Sequence, residues 1–259
     1  MSRAYRTVSH AAATTLAGLP PLELADRQYA EVYRRTKELR AARDRGEPID
    51  LDKGRRTVKL QEKTVLIERW KEYLSDPNIV KWGRSTVDAV QPCLAEWLGS
   101  RVIGLTYHAT QVLTGHGCFG VFLCRIEKEA TTRCWHCDEE RDTAQHTLED
   151  CPAWSVQRRV LTDEIGFDLS LPAVVAATVE REEKWKAFVS FCGSVMSQKE
   201  ASERIRRGEV RPHPTDREEE EEEEWTPRRP PRVSPPPEEW RRRLRPRGGA
   251  PDAAPRGAR

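Results

Sequence analysis

Three features of the 259-residue sequence predict a mainly α fold: a helical linker region, a small Cys-Cys-His-Cys knuckle and a disordered C-terminal tail. Apolar residues recur at helical spacing in segments that Pro and Gly punctuate. Cys134-Trp-His-Cys137 is followed after eight residues by His146 and after four more by Cys151. Beyond Gly208 the composition turns to Glu, Pro and Arg, with seven consecutive glutamates at 218–224.

The first helix is short and ends at Ala17, because Gly18-Leu-Pro-Pro21 removes donors and restricts the residue before each proline. From Leu22 a long basic helix places Leu24, Tyr29, Val32, Tyr33 and Leu39 near helical spacing, with Gly46 as its stop. A third helix over 51–74 carries Val58, Leu60, Val65, Leu66, Trp70 and Leu74 and stops at Asp76-Pro77. Val80 to Leu98 reads as a further helical stretch with Pro92 as a kink or a first-turn residue. Trp70, Trp82 and Trp97 are assigned to the core rather than to base stacking, the commoner place for aromatic residues on helices.

A helix over Thr106–Leu113 leads into Thr114-Gly-His-Gly117, where His116 serves either as a turn residue or as a nucleic-acid contact. Residues 118–126 form an apolar helix with Phe119, Phe122, Leu123 and Ile126 on its buried side, and with Cys118 and Cys124 in the core. After the knuckle, Pro152 opens a helix that Gly166 stops after Ile165. Leu171 to Arg207 reads as two helices hinged near Val179–Glu182. The expected division is 1–48, basic N-terminal helices; 49–130, helical linker; 131–155, knuckle; 156–207, C-terminal helices; and 208–259, disordered tail, whose like-charged and Pro-rich runs cannot offset chain entropy.

The Cys and His spacing fits one zinc ion. Two Cys separated by two residues reach a single ion from one tight turn, and Cys134, Cys137, His146 and Cys151 complete a tetrahedron. Four protein ligands leave no open position, so the site is structural rather than catalytic. The intervening DEERDTAQ is too polar to build a core by itself, and the metal supplies what is missing. No His-x-Glu precedes the Cys pair, which argues against a zinc deaminase.

Hydrophobic residues make up 37% and charged residues 33%, a poor mixture for one large core, and the net charge of +2 says little about partners until it is mapped. The first sixty residues are rich in Arg and Lys. Seven cysteines, an odd number, with no apolar signal segment after Met1 fit a reducing, intracellular compartment. No window approaches eighteen continuous apolar residues, so no membrane contact is expected.

LTGHGCFGVFLCRI at 113–126, the knuckle, AQHTLEDCPAW at 144–154 and Arg158-Arg159 together resemble the C-terminal region of non-LTR (LINE-like) retrotransposon polyproteins, of the insect type inserted into ribosomal DNA. YRTVSHAAATTLAGLPPLEL at 5–24 is similar to the thumb-like segment after the polymerase palm, and the likeness runs to about Arg207. It implies binding of template nucleic acid beside a reverse transcriptase, an RNA-directed DNA polymerase, during target-primed reverse transcription in the nucleus. It also carries the four zinc ligands onto the family's knuckle.

The paired catalytic aspartates of the polymerase have no counterpart in the sequence, so the chain by itself is expected to be no enzyme but a fragment, a degenerate copy or a domesticated tail. The expected partners are RNA or single-stranded DNA, together with the polymerase portion of the same polyprotein. Arg133, Trp135 and Arg141 on the knuckle, Arg158 and Arg159 after it, and His116 are the candidate contacts. The other function open at this point is a zinc-stabilised module that binds protein.

Overall fold

Side-chain caps start the helices where the sequence supplies them. The Ser9 hydroxyl accepts from Ala12 N, the Asp50 carboxylate from Asp52 N and Lys53 N, the Thr106 hydroxyl from Ala109 N and the Thr143 hydroxyl from His146 N. Each such cap is worth about 1 kcal/mol. The computed structural model describes residues 7–100 and 104–209. Those residues form eleven α-helices and no strand. In order they are α1 (His10–Leu16), α2 (Leu22–Asp44), α3 (Leu51–Ser75), α4 (Arg84–Val90), α5 (Leu94–Gly99), α6 (Tyr107–Thr114), α7 (Gly120–Arg125), α8 (Ala144–Glu149), α9 (Ser155–Ile165), α10 (Leu171–Glu180) and α11 (Glu182–Arg206). The mainly α class is therefore as predicted. The expectation of disorder over 208–259 falls almost wholly on 210–259, outside the described residues.

The Pro and Gly positions punctuate the chain largely as read. Pro92 sits in a single 3-10 turn, Gln91–Cys93, between α4 and α5. That helical stretch begins at Arg84 rather than Val80, because Gly83 takes a left-handed φ of 76° as the N-cap of α4. The predicted hinge after Val179 is one extended residue, Arg181, between α10 and α11.

α2 and α3 form an antiparallel hairpin with arms of about 35 Å, from 23 and 25 residues at about 1.5 Å each. Leu39 lies against the bare Cα of Gly54, and the Arg35 guanidinium pairs with Glu62 at 2.7 Å. Ala42, at 9% exposed, is the one buried residue of α2, so this arm is held chiefly by α3. Tyr29 and Tyr33 lie beside the inward stripe of Leu24, Val32 and Leu39, and both are exposed. Leu60 and Val65 are exposed on α3 as well.

The remaining helices and the C-terminal half of α3 surround one continuous core. α11 packs on α6, α9 and α10, and α10 also packs on α4. Trp70, Leu94, Trp97, Phe119, Phe188 and Met196 fill the centre, and the Trp97 indole donates to Leu16 O at 3.2 Å, tying α5 to α1. Two side chains assigned by name to the core also depart from expectation. Trp82 is not a core anchor: it lies on the loop ahead of Gly83 and is 78% exposed. Cys124 is half-buried at the edge of α7, while Cys118 is buried as predicted.

Candidate metal centre

The knuckle begins as a tight turn. Asp138 N donates to Cys134 O at 2.9 Å and Cys134 N to Glu139 O at 2.7 Å, and Asp138 takes a φ of 64°, a conformation that Asp tolerates better than most residues. This turn points both Cys134 and Cys137 inward. Thr143 then caps α8, whose first turn presents His146, and Cys151 N returns to His146 O at 2.8 Å. The four predicted ligand atoms converge to within 4.8 Å of one another. Cys134 and Cys151 are separated by 3.9 Å at sulfur, and Cys137 Sγ lies 3.2 Å from His146 Nε2.

These residues fit a metal ion. A tetrahedron with metal–sulfur bonds of about 2.3 Å has sulfur–sulfur edges of about 3.8 Å, close to the separation seen. Three sulfurs and an imidazole suit a soft or borderline cation. The backbone N–H of His136 donates to the Cys134 sulfur and that of Ala153 to the Cys151 sulfur, both favouring thiolate. Burial acts the other way, pushing the Cys134 thiol up and the Cys151 thiol up to about 12. A bound divalent cation reverses that balance, because it stabilises the deprotonated ligands directly. His136 is not one of the four. Its ring packs on Trp154 with centroids 4.8 Å apart, and burial lowers its pKa to about 4.

The clasp is anchored from behind by a buried ion pair. Lys199 Nζ on α11 donates to Asp142 Oδ1 and Oδ2 at 2.8 and 2.9 Å, with the two side chains 1% and 4% exposed. Asp142 Oδ2 also accepts from Gly120 N at 3.0 Å, placing a carboxylate at the start of α7, and the Thr147 hydroxyl approaches Oδ1. Gly120 is needed there. A Cβ on it would lie 2.5 Å from Thr132 O and 2.7 Å from Arg133 O, so α7 meets the knuckle backbone to backbone.

The candidate contact residues divide into groups. Arg133, Trp135 and Arg141 all reach the surface of the knuckle. Arg133 pairs with Asp138 at 2.9 Å, and the Arg206 guanidinium lies 4.9 Å from the Trp135 ring centre, leaving that indole 48% exposed. Arg158 turns inward: Nε donates to Leu148 O at 2.7 Å, and Nη2 to Cys151 O at 2.6 Å and Thr147 O at 3.3 Å. It thereby satisfies carbonyls at the end of α8. Arg159 beside it is exposed. His116 lies at the turn after α6, 9% exposed, with Nδ1 donating to Thr114 O at 2.8 Å.

The sequence reading missed Lys199 and Asp142. The signal for Lys199 was available: it follows Phe188, Cys192 and Val195 on the buried stripe of α11, where a charge needs a partner. Asp142 carries no such mark within DEERDTAQ.

No family model matches the chain, and no solved structure matches it. Over 195 residues, 74% of its length, the chain is 25% identical to a Retrovirus-related Pol polyprotein from type-1 retrotransposable element R1 4 of Nasonia vitripennis. It spans about half, 48%, of that polyprotein. Over about three quarters of its length, then, the chain is similar to part of a retrotransposon Pol polyprotein, and it carries a buried Cys3His cluster suited to a metal ion.

Proposed function

We propose that the chain is the nucleic-acid-binding C-terminal portion of a non-LTR retrotransposon reverse transcriptase polyprotein, with zinc as its resident metal and no polymerase or endonuclease site of its own. In this reading it holds RNA template or target DNA beside the polymerase portion, in the nucleus. The observation that carries the reading is Trp135, a half-exposed indole on the loop between two metal ligands, with Arg133 and Arg141 exposed on the same knuckle. Zinc, when bound, supplies four bonds that fix this loop.

The residues do the rest. Trp135 offers a stacking surface to an unpaired base, worth about 1 to 3 kcal/mol. The Arg133–Asp138 pair is exposed on both sides and is held weakly, so a phosphate oxygen displaces the carboxylate at little cost. Arg206 braces the indole while also bonding Glu129 at 3.2 Å. Arg55, Arg56 and Lys59 line a shallow concavity on α3 near the hairpin turn, together with Asp52, and their excess of positive charge offers phosphate contacts away from the knuckle.

A second reading, a zinc-stabilised protein-binding module, is favoured by one feature. Val156 and Val160 lie one turn apart on α9 and are exposed, as is Phe167 after it. Fluorescence anisotropy with labelled single-stranded RNA and DNA on the zinc-loaded chain separates the two. Nucleic-acid binding predicts affinity that falls steeply between 50 and 200 mM salt, as counterion release requires, and that weakens with Trp135→Ala and Arg133→Ala. Absent or salt-insensitive binding supports the protein-binding module instead.

A further inference from the structure

A cavity of about 310 Å³ lies between α1, the loop before α4 and the turn after α6, lined among others by Ser9, His10, Trp82, Thr114, His116 and Arg125. We propose that this recess receives one unstacked nucleotide of a single strand, its base on the Trp82 indole and its phosphate at the Arg125 guanidinium. The inference rests on the nucleic-acid reading above and gives it a second binding point, separate from the knuckle.

Trp82 is 78% exposed, an unusual position for a side chain that normally buries 150–250 Å². The fold holds it there. Gly83 follows with its left-handed backbone pressed against the side chains of Ser9 and Ala12, where any Cβ would collide. Arg84 next fixes the loop by donating to Leu74 O at 2.8 Å and pairing with Asp88. The indole is therefore presented on a clamped loop rather than on a free one.

Arg125 supplies the charge. Its guanidinium lies 5.0 Å from the Phe122 ring centre, and Nη2 donates to His116 Nε2 at 3.0 Å. His116 Nδ1 donates to Thr114 O, and Nε2 lies 3.1 Å from Thr7 O as well as beside Arg125, so among the described residues the partner of Arg125 here is an imidazole and not a carboxylate. Burial lowers the His116 pKa and the Arg125 charge adds to this, against the Thr114 and Thr7 carbonyls, which raise it. Among the described residues no Asp or Glu lines the recess. An aromatic face beside a cation, with no acidic neighbour, selects a planar group that carries negative charge. The volume is at the small end of ligand pockets, of about 300 to 1,000 Å³, so one splayed base enters and a stacked duplex does not.

The test uses the full zinc-loaded chain and a fluorescein-labelled single-stranded oligonucleotide. Trp82→Ala should weaken binding about 5- to 150-fold, the range of one lost base stack, while Trp82→Phe keeps most of the affinity. Arg125→Gln should lower the slope of log affinity against log salt by about 0.7, one phosphate contact on a single strand. A 5-bromouridine oligonucleotide should cross-link on irradiation to the peptide that contains Trp82. If knuckle variants weaken binding while Trp82→Ala stays within twofold and cross-links fall elsewhere, the recess proposal is overturned and the knuckle reading stands. If the native chain binds no single strand, both fall.

Discussion

Replacing Lys199 with Met tests how the clasp is held to the helical body. The side chain is 1% exposed and bonds both oxygens of an Asp142 that is 4% exposed, so solvent screening offers no discount. Removing one partner of a buried pair leaves an uncompensated charge and costs about 3 to 5 kcal/mol. Asp142 keeps the Gly120 N–H and the Thr147 hydroxyl, which places the expected loss near the lower end, about 3 kcal/mol or roughly 150-fold in the folding equilibrium. The double variant Asp142→Asn with Lys199→Met retains an acceptor for Gly120 N–H and removes the stranded charge. It should recover at least half of the loss, and the difference measures the coupling of the pair. Denaturant unfolding of zinc-loaded protein, followed by both circular dichroism and tryptophan fluorescence, gives these numbers. A Lys199→Met unfolding free energy within about 1 kcal/mol of the native chain's, or a double variant worse than the single, would refute the reasoning.

Four further outcomes follow from the same geometry. Cys137→Ser should abolish stoichiometric zinc in purified protein measured by elemental analysis, since metal binding contributes about 10 to 16 kcal/mol in comparable small units; retained zinc would contradict the ligand set. Gly120→Ala should destabilise by more than about 3 kcal/mol in a chemical melt, because its Cβ meets two backbone carbonyls that cannot yield separately. Arg158→Ala should cost about 2 kcal/mol and speed zinc loss to a chelator, whereas Arg159→Ala, exposed, should leave both within error. His116 has its pKa lowered, so the folded state favours its neutral form. Its stabilising effect is present above the ordinary value near 6.5 and is lost as pH falls below that; thermal melts from about pH 7 to about pH 5 should show the native chain losing more stability than His116→Gln.

What the sequence revealed is mostly what short-range chemistry decides. Helix ends at Ala17, near Gly46, at Asp76 and before Gly115 and Gly166 follow from caps, glycines and prolines within a few residues of each break. The metal ligands were readable for the same reason, because all four lie within eighteen residues and turn geometry alone brings the first two together. Trp82 was misassigned because its fate depends on contact between Gly83 and Ser9, 74 positions away, which helical periodicity does not encode. Arg158 and Arg159 are adjacent and alike in sequence, yet one satisfies carbonyls inside the fold and the other faces water. Tyr29 and Tyr33 show the limit of a loose stripe: α2 buries Ala42 and half-buries Leu24, Val32 and Leu39, a narrower line than the apolar residues suggest.

The last helix of the described body closes the fold in several places at once. α11 contributes Trp185, Phe188, Phe191, Val195 and Met196 to the interior, brings Lys199 to Asp142 across 57 positions, and brings Glu203 to the Cys118 thiol across 85. On a ribosome, therefore, the earlier helices emerge with their interior unfilled and the cysteine loop without its backing. Productive folding waits until about residue 206 has left the exit tunnel, which makes a stop codon ahead of α11 far more damaging than one after it.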